Sequence, residues 1–178
     1  MKFKITGSQT HYRGRAFSVE KVDFTLPDGR QASYDLVRHN DSVSIVPVDE
    51  HGYILFVSQY RLGAENLLLE LPAGVDEDGE SPEDSAAREI REETGMAAGK
   101  MVRLGEFYLA PGYSSELMYV FLATNLTPAP LQADPDEFLQ VKAIPIEEAY
   151  AMARRGEIRD SKSLAALLLA EPYLRPEA

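Results

Sequence analysis

The N-terminal third of the chain is patterned as a series of short strands. Residues 17–26 (FSVEKVDFTL) alternate in places, and the turn-forming PDG at 27–29 separates them from a second strand pattern at 30–37. Two runs that are richer in apolar residues follow at 42–50 and 52–61. Their near-continuous apolar character predicts strands that are buried on both faces. A three-stranded N-terminal meander is too small to be stable alone, so we expect it to pack against the remaining domain or a second subunit.

The C-terminal third is patterned as one strand and two helices. Residues 138–145 (FLQVKAIP) predict a short strand, residues 146–158 an amphipathic helix that ends at Gly156, and residues 161–174 a final helix. The apolar run at 164–170 is expected to lie in the core.

A further helix is predicted in the middle of the chain, after an acidic loop. Ser81 followed by proline is a typical helix start, and Gly95 stands where a left-handed residue ends a helix. Between them, Glu89, Glu92 and Glu93 are spaced i, i+3 and i+4, which places all three on one side. The neighbouring stripe, which can pack on a core, consists of Ala86, Ile90 and Thr94.

Three glutamates on one helix face indicate a bound cation. Like charges at this spacing destabilise a helix by about 0.2–0.5 kcal/mol per pair, so a positive partner is expected beside them. Magnesium suits such a face, because it takes oxygen ligands and is usually held by one or two carboxylates plus substrate phosphates. The alternative is a solvated acidic face on which Asp84, Arg88 and Glu92 exchange i,i+4 ion pairs.

A longer pattern surrounds the helix and favours the cation. After Gly74 come five residues and then Glu80, and seven residues further on come REI at 88–90, EE at 92–93 and GM at 95–96. This pattern resembles the signature of the Nudix hydrolases at each specified position. The resemblance implies a metal-dependent pyrophosphohydrolase that acts on a nucleoside diphosphate linked to another moiety.

The resemblance also assigns roles around the expected cation, which is Mg²⁺, with Mn²⁺ or another divalent ion as the alternative. Arg88 and Glu80 are expected to form an orienting ion pair. A backbone carbonyl is a normal ligand for such an ion. The expected metal ligands are Ala73, through its carbonyl oxygen, Glu89, Glu93 and, for an additional ion, Glu92.

The loop LAPGYSSE at 109–116 resembles that of one branch of the family. Pro111 lies 15 residues after Met96, as in the ADP-ribose pyrophosphatase branch. In that branch the loop glutamate, Glu116 here, is the leading candidate for the base that activates water, with Glu92 as the rival; a solvated loop carboxylate is the alternative for Glu116. The expected substrate contacts in this loop are Gly112, Tyr113 and Ser114.

Further substrate contacts are expected outside the signature. Arg61 ends a predicted strand, and its planar guanidinium suits a substrate phosphate, whereas a surface arginine that caps the strand is the alternative. Glu137 is a candidate to contact substrate or metal, with an exposed linker acid as the preferred interpretation. An adenine base needs an aromatic surface for stacking. The candidates for that surface are Tyr12, Phe17, Tyr34 and Tyr113.

The implied fold is α/β: a Nudix-type α/β/α sandwich with a mixed sheet, plus a small N-terminal antiparallel sheet. We divide the chain into a β meander at 1–42, expected to serve dimerisation or substrate contact, and a Nudix hydrolase domain at 43–178. By the same resemblance, the N-terminal strands are expected to exchange or pack across a homodimer.

The amino-acid composition limits which binding partners, cysteine-dependent sites and cellular location are expected. The net charge of −11 argues against a nucleic-acid backbone or an anionic membrane as partner, although metal ions can invert the local charge for an anionic substrate. The absence of cysteine excludes disulfides, thiolate zinc sites and a cysteine nucleophile. The first ten residues lack the apolar region of a signal peptide, and no stretch approaches 18 apolar residues, so a cytoplasmic location is expected.

The expected reaction is metal-dependent hydrolysis of ADP-ribose to AMP and ribose 5-phosphate. Another nucleoside diphosphate sugar or dinucleotide, such as GDP-mannose, NADH or FAD, is an alternative substrate. A non-catalytic ligand sensor on the same fold is the alternative from a different functional class. A degenerate signature would be expected for a sensor, and this signature is intact.

Overall fold

The structure is a computed structural model that describes residues 2–132 and 138–176. The chain forms two compact units. The first consists of residues Met1–Asp41 and Tyr108–Leu117, and the second of Ser42–Phe107 and Met118–Ala178. The candidate Glu137 lies outside the described residues.

The first unit contains the small antiparallel sheet that the sequence predicted. Its three strands are β1 (Lys4–Arg13), β2 (Phe17–Thr25) and β3 (Gln31–His39), in the order β1-β2-β3. The turn between β2 and β3 is closed by Leu26 N, which donates to Arg30 O at 2.8 Å. Meander strands pair with their sequence neighbours, which is why local alternation and turn residues were sufficient to predict this sheet.

The segment Tyr108–Leu117 belongs to the first unit because its backbone bonds to β3. Val37 N donates to Tyr113 O at 2.7 Å, and Ser115 N donates to Val37 O at 3.0 Å. Ser115 Oγ also accepts from His39 N at 3.1 Å. The domain boundary expected from the sequence, between residues 42 and 43, placed this segment in the larger domain. Pairing between residues this far apart in the sequence leaves no local signal.

The second unit is built on two sheets. In the mixed four-stranded sheet, of order β7-β4-β9-β8, β4 runs parallel to β9 and antiparallel to β7. The other sheet is antiparallel, with the order β10-β5-β6. The strands are β4 (Ser42–Pro47), β5 (Tyr53–Arg61), β6 (Asn66–Glu70), β7 (Ala73–Val75), β8 (Met96–Tyr108), β9 (Leu117–Pro128) and β10 (Gln140–Pro145), with a short 3-10 helix at Leu62–Ala64.

In the described part of the second unit, three helices cover these sheets. Helix α1 (Pro82–Thr94) packs on β4 and β7, α2 (Ile146–Arg154) on β5 and β10, and α3 (Ser161–Leu174) on β4. In the described part of the chain, no helix is both long and apolar enough to cross a membrane.

The core between α1 and the mixed sheet forms from the predicted stripe. Ala86 and Ile90 are fully buried there. Because side chains alternate along a strand, Val43 and Ile45 share the face of β4 that meets α1, while Val46 lies on the other face and is also buried. The prediction that this strand is buried on both faces is confirmed. The buried residues of this core cluster are Val43, Ile45, Ala86, Ile90, Phe121 and Ala123.

The ends of α1 are those that the sequence predicted. Ser81 Oγ accepts from Asp84 N at 3.1 Å, and Gly95 adopts φ 73° while its N–H donates to Arg91 O at 3.1 Å. These contacts satisfy backbone groups that a helix end otherwise leaves without partners. They also fix where the glutamates of α1 lie relative to the sheet.

The prediction that the apolar run at 164–170 lies in the core is only partly right. Ala166, Leu167 and Ala170 are buried, whereas Leu168 is 69% exposed. With 3.6 residues per turn, a continuous apolar run on a helix must present some of its side chains to the outer face.

Candidate functional site

Two glutamates of α1, Glu89 and Glu93, lie on its inner side. Glu89 and Glu93 are only 8% and 5% exposed, and Glu92 is partly exposed. Carboxylates are rarely buried this deeply without hydrogen-bonding or charged partners. Their partners come from strand β7 and from an arginine on the same helix.

The Glu89 carboxylate of α1 lies directly against the backbone of strand β7 at Gly74. Gly74 lies opposite Val43 in the β4–β7 ladder, and a Cβ built on Gly74 would overlap the Glu89 carboxylate. One residue earlier, Ala73 N donates to Glu93 Oε2 at 2.9 Å. The contact between β7 and α1 therefore brings together three residues of the signature: Gly74, Glu89 and Glu93.

Arg88 donates hydrogen bonds to three carboxylates from a single guanidinium. It donates to Glu80 twice, from Nε to Oε1 at 3.0 Å and from Nη2 to Oε2 at 2.8 Å. Its Nη1 donates to Glu89 Oε1 at 2.5 Å and to Glu92 Oε2 at 2.9 Å. The structure thus forms the expected pair of Arg88 and Glu80. It also forms the i,i+4 pair of the alternative interpretation, while Asp84 bonds to Ser81 instead.

The charges of this group reinforce one another. The hydrogen bond from Arg88 holds the pKa of the Glu80 carboxyl below its ordinary value. The same bond is the main cause that raises the pKa of Arg88, with further contributions from Glu89 and Glu92. The Arg88–Glu80 pair is therefore charged at neutral pH.

Within residues 2–132 and 138–176, no group of three or more His, Asp or Glu side chains is arranged to hold a metal ion. Glu89 and Glu92 are turned toward Arg88, and Glu93 toward the amide of Ala73. The donor chemistry nevertheless fits a hard divalent cation, since carboxylate and carbonyl oxygens are the ligands such ions prefer. The space that Gly74 leaves for Glu89 supports the same fit.

The loop candidates lie together in the first unit. Ser114 is buried and its Oγ accepts from Glu116 N at 3.3 Å, while Tyr113 is exposed and Gly112 has open space around its Cα. Glu116 Oε1 lies 3.9 Å from Nδ1 of His39. The loop therefore holds Glu116 partly buried beside an imidazole. The aromatic candidates Tyr12, Phe17, Tyr34 and Tyr113 are all exposed and all belong to this unit.

Arg61 has a partner that the sequence analysis missed. Its Nε and Nη2 donate to Glu70 Oε1 and Oε2 at 2.8 Å and 2.7 Å, so a carboxylate holds the guanidinium. Lys162 also donates to Glu70, and it lies 3.0 Å from Asp160. We call Arg61, Glu70, Asp160 and Lys162 the Glu70 cluster. A lysine in the first turn of a helix, where the dipole disfavours cations, was a signal in the sequence that could have pointed to it.

Burial and charge act in opposite directions on Glu70. Burial raises the pKa of this carboxyl, but the hydrogen bond from Arg61 and the charge of Lys162 lower it, and the net direction is downward. The hydrogen bond to Glu70 is likewise the main cause that raises the pKa of Arg61. The Glu70 cluster is therefore a charged network within the second unit.

Comparisons with known proteins identify the family of this chain. Residues 38–167 match the family model described as the NUDIX domain. The ADP-ribose pyrophosphatase of Bacillus subtilis is 33% identical over 166 residues, which cover 92% of this chain and 90% of that protein. The ADP-ribose pyrophosphatase of Mycobacterium tuberculosis is 36% identical over 169 residues, which cover 93% and 82%.

A solved structure confirms the predicted fold class. The crystal structure of an ADP compounds hydrolase matches this chain with a TM-score of 0.89 and 28% identity, covering 100% of this chain and 97% of that one. The signature, the fold and the family model agree, and the chain belongs to the Nudix family.

Proposed function

We propose that this protein hydrolyses the pyrophosphate bond of ADP-ribose and releases AMP and ribose 5-phosphate. The observation that carries the proposal is the close contact at Gly74, which leaves the space that the Glu89 carboxylate occupies. Both relatives described above are named ADP-ribose pyrophosphatases, and this chain covers 90% and 82% of their lengths, which supports the same substrate.

Nudix hydrolases depend on divalent metal ions, and we propose Mg²⁺ for this one. The residues that would hold it are Glu89, Glu93 and the carbonyl of Ala73, with Glu92 for an additional ion. When bound, the cation supplies charge neutralisation and polarisation of the phosphoryl oxygens. The carboxylate oxygens of α1 and the approach of β7 to them support this assignment.

Arg88 orients the carboxylates before the substrate arrives. Its two bonds to Glu80 fix the plane of the guanidinium, which leaves Nη1 directed at Glu89 and Glu92. A bidentate arginine–carboxylate pair is geometrically specific, so it restrains its neighbours better than a single bond would. We therefore assign Arg88 and Glu80 a positioning role.

We propose Glu116 as the general base that takes a proton from the attacking water, with Glu92 as the rival. A base must come within hydrogen-bond reach of the proton it removes. The bond from Glu116 N to Ser114 Oγ and the nearby His39 hold this part of the loop in place. The proposed substrate contacts are Arg61, Gly112, Tyr113 and Ser114.

We further propose a homodimer in which the N-terminal strands are exchanged. Exposed apolar side chains of the first unit, including Phe3, Ile5 and Tyr34, support this assembly. Light scattering coupled to gel filtration would measure the mass in solution. A monomer at micromolar concentration would contradict the dimer without affecting the proposed reaction.

The reaction is tested with a substrate panel. The protein is incubated with Mg²⁺ and ADP-ribose, GDP-mannose, NADH or FAD, and phosphate is measured after an added phosphatase has acted on the products. ADP-ribose should be the fastest substrate, and EDTA should abolish its turnover. A faster reaction with GDP-mannose or a dinucleotide would make that compound the preferred substrate in place of ADP-ribose. A panel without turnover would favour a ligand sensor.

A further inference from the structure

Glu70 is the most deeply buried charged residue of the described chain, with 1% of its surface exposed. Arg61 binds both of its oxygens, at 2.8 Å and 2.7 Å, and Lys162 donates to Oε2 as well. Lys162 is itself only 8% exposed. One carboxylate thus joins the end of β5 to the first turn of α3, and Glu70 and Lys162 are 92 residues apart in the sequence.

The first turn of α3 is fastened to the segment that leads into β7. Ser163 Oγ accepts from Leu71 N at 2.7 Å and donates to Asp160 Oδ2 at 2.5 Å. Asp160 also accepts from Ser163 N at 2.9 Å, which makes it the N-cap of the helix. Because Leu71 N is held in this way, the turn that carries Lys162 has a fixed position beside Glu70.

The position of Lys162 in the first turn is unfavourable for the helix, and its ion pair with Glu70 does not show that the cluster stabilises the fold. Cations are disfavoured in the first turn of a helix. A buried ion pair is weak evidence for stability, since replacing it with apolar residues is often neutral or stabilising. Stability therefore does not account for Lys162, and its role lies in the side chain that the Glu70 cluster holds in place.

The Glu70 cluster fixes the guanidinium of Arg61 while leaving donors available. Glu70 lies opposite Val57 in the β5–β6 ladder, four residues from Arg61, so both side chains belong to the same sheet face. Among the residues that the structure describes, Arg61 uses Nε and one Nη2 hydrogen for Glu70, which leaves three of the five guanidinium donors. Its side chain is 42% exposed, so a ligand can reach those donors.

The position of Arg61 also connects it to the carboxylates of α1. Glu93 is among the negative charges that raise the pKa of Arg61, after the main contribution of Glu70. Geometry supports the same connection: Glu70 is the last residue of β6, and Ala73 N, three residues further along the chain, donates to Glu93 Oε2 at 2.9 Å. From this position Arg61 can act on the same diphosphate that the α1 carboxylates serve in the proposed function.

We propose that Lys162 is a positioning residue for Arg61: it holds Glu70 so that Glu70 fixes the Arg61 guanidinium for a phosphate of the substrate. This inference rests on the proposed function. It assigns a role to the C-terminal helix, whose residues lie far from the signature in sequence. Arg61 contacts the substrate, and Lys162 acts only through Glu70 and Arg61.

The test is a double-mutant cycle on binding, measured with the α,β-methylene analogue of ADP-ribose, which cannot be hydrolysed at that bridge. Calorimetry with Mg²⁺ compares the wild type with Arg61→Ala, Lys162→Met and the double variant. Each single variant should weaken binding about tenfold, and the double variant should bind within about twofold of Arg61→Ala, because effects of coupled residues are not additive. Lys162→Arg, which keeps the cation, should bind within about threefold of the wild type.

Two further variants separate positioning from folding. Lys142→Met replaces an exposed lysine on β10 and should bind as the wild type does. Ser163→Ala keeps Lys162 but removes the bond to Leu71 N, so it should weaken binding about threefold, and only when Arg61 is present. If Lys162→Met proves unfolded by its thermal unfolding curve, the cycle is completed with Ser163→Ala.

The outcomes distinguish this inference from the proposed function. Wild-type binding of the analogue by Lys162→Met, or an equal loss with and without Arg61, would overturn the role of Lys162 even in an enzyme that is active on ADP-ribose. A wild type that binds the analogue but hydrolyses nothing would remove the proposed function, while the cycle would still decide the coupling. A wild type that does not bind the analogue would overturn the inference.

Discussion

Substituting Gly74 by alanine adds one methyl group at the point where β7 meets α1. The added Cβ would overlap the Glu89 carboxylate, whereas the backbone of Gly74 is not in the left-handed region and accepts alanine without strain. The carboxylate must therefore move. Its movement breaks the 2.5 Å bond from Arg88 Nη1 to Glu89 Oε1 and displaces a proposed metal ligand.

The expected losses follow from that displacement. Inserting a methyl into a packed site costs about 1–3 kcal/mol of unfolding free energy. Because the methyl meets only the end of the flexible Glu89 side chain, we expect the lower end of this range, about 1 kcal/mol, or a decrease in Tm of about 2–4 °C. Misplacing a ligand by roughly 1 Å can reduce turnover about a hundredfold. We expect both effects in Gly74→Ala, measured by thermal unfolding and by steady-state hydrolysis of ADP-ribose at saturating Mg²⁺.

Two comparisons isolate the steric cause. Gly63→Ala adds a methyl where nothing lies within 4 Å, so its stability and turnover should match those of the wild type. In a Glu89→Ala background the methyl at position 74 has room, and the loss of stability should disappear, because the two residues are coupled. Unchanged turnover and Tm in Gly74→Ala, or an undiminished loss of stability without the Glu89 carboxylate, would refute the steric argument.

The remaining predictions concern individual carboxylates. Glu93→Gln keeps an oxygen for the amide of β7 but loses the charge, so turnover should fall about a hundredfold or more at nearly unchanged Tm; Glu83→Gln, exposed on the same helix, is the matched control and should be fully active. Glu116→Gln should reduce turnover by about 10²–10⁴ if it is the general base, and a wild-type rate would give that role to Glu92. The folded-state pKa of Glu80 is lowered, so its contribution to stability is present above its unfolded pKa and is lost as pH falls through the folded value. The acid-induced decrease in Tm should accordingly be smaller in Glu80→Gln, and identical profiles below pH 5 would contradict the ion pair.

The parts of the fold that could be predicted from the sequence are those with local causes. The start of α1 at Ser81 and its end at Gly95 depend on residues within one helical turn, and the structure confirms both. The strand β4 was predicted from its continuous apolar run. The resemblance to the family signature predicted that Arg88 and Glu80 form an ion pair, and the structure forms it.

The parts that could not be predicted depend on pairing between distant segments. The loop that carries Glu116 joins the first unit through backbone bonds between residues 37 and 113–115, and no local pattern encodes that pairing. Glu70 and Lys162 are 92 residues apart, so their contact became visible only when α3 was placed against the sheet. Leu168 was wrongly expected in the core because hydrophobicity alone does not specify which helix face is covered.

The charge of the site explains how a protein with a net charge of −11 can take an anionic substrate. Glu80, Glu89, Glu92 and Glu93 bring four negative charges to a group whose central cation is Arg88. A diphosphate would be repelled by that group alone, since like charges at close range in a partly buried site are poorly screened. A divalent cation reverses the local sign, and the guanidinium of Arg61, fixed by Glu70, adds a positive charge that does not depend on the cation. In the proposed function, metal and arginine are therefore complementary: the metal would make the acidic helix face attractive to phosphate, and Arg61 would fix where the phosphate binds.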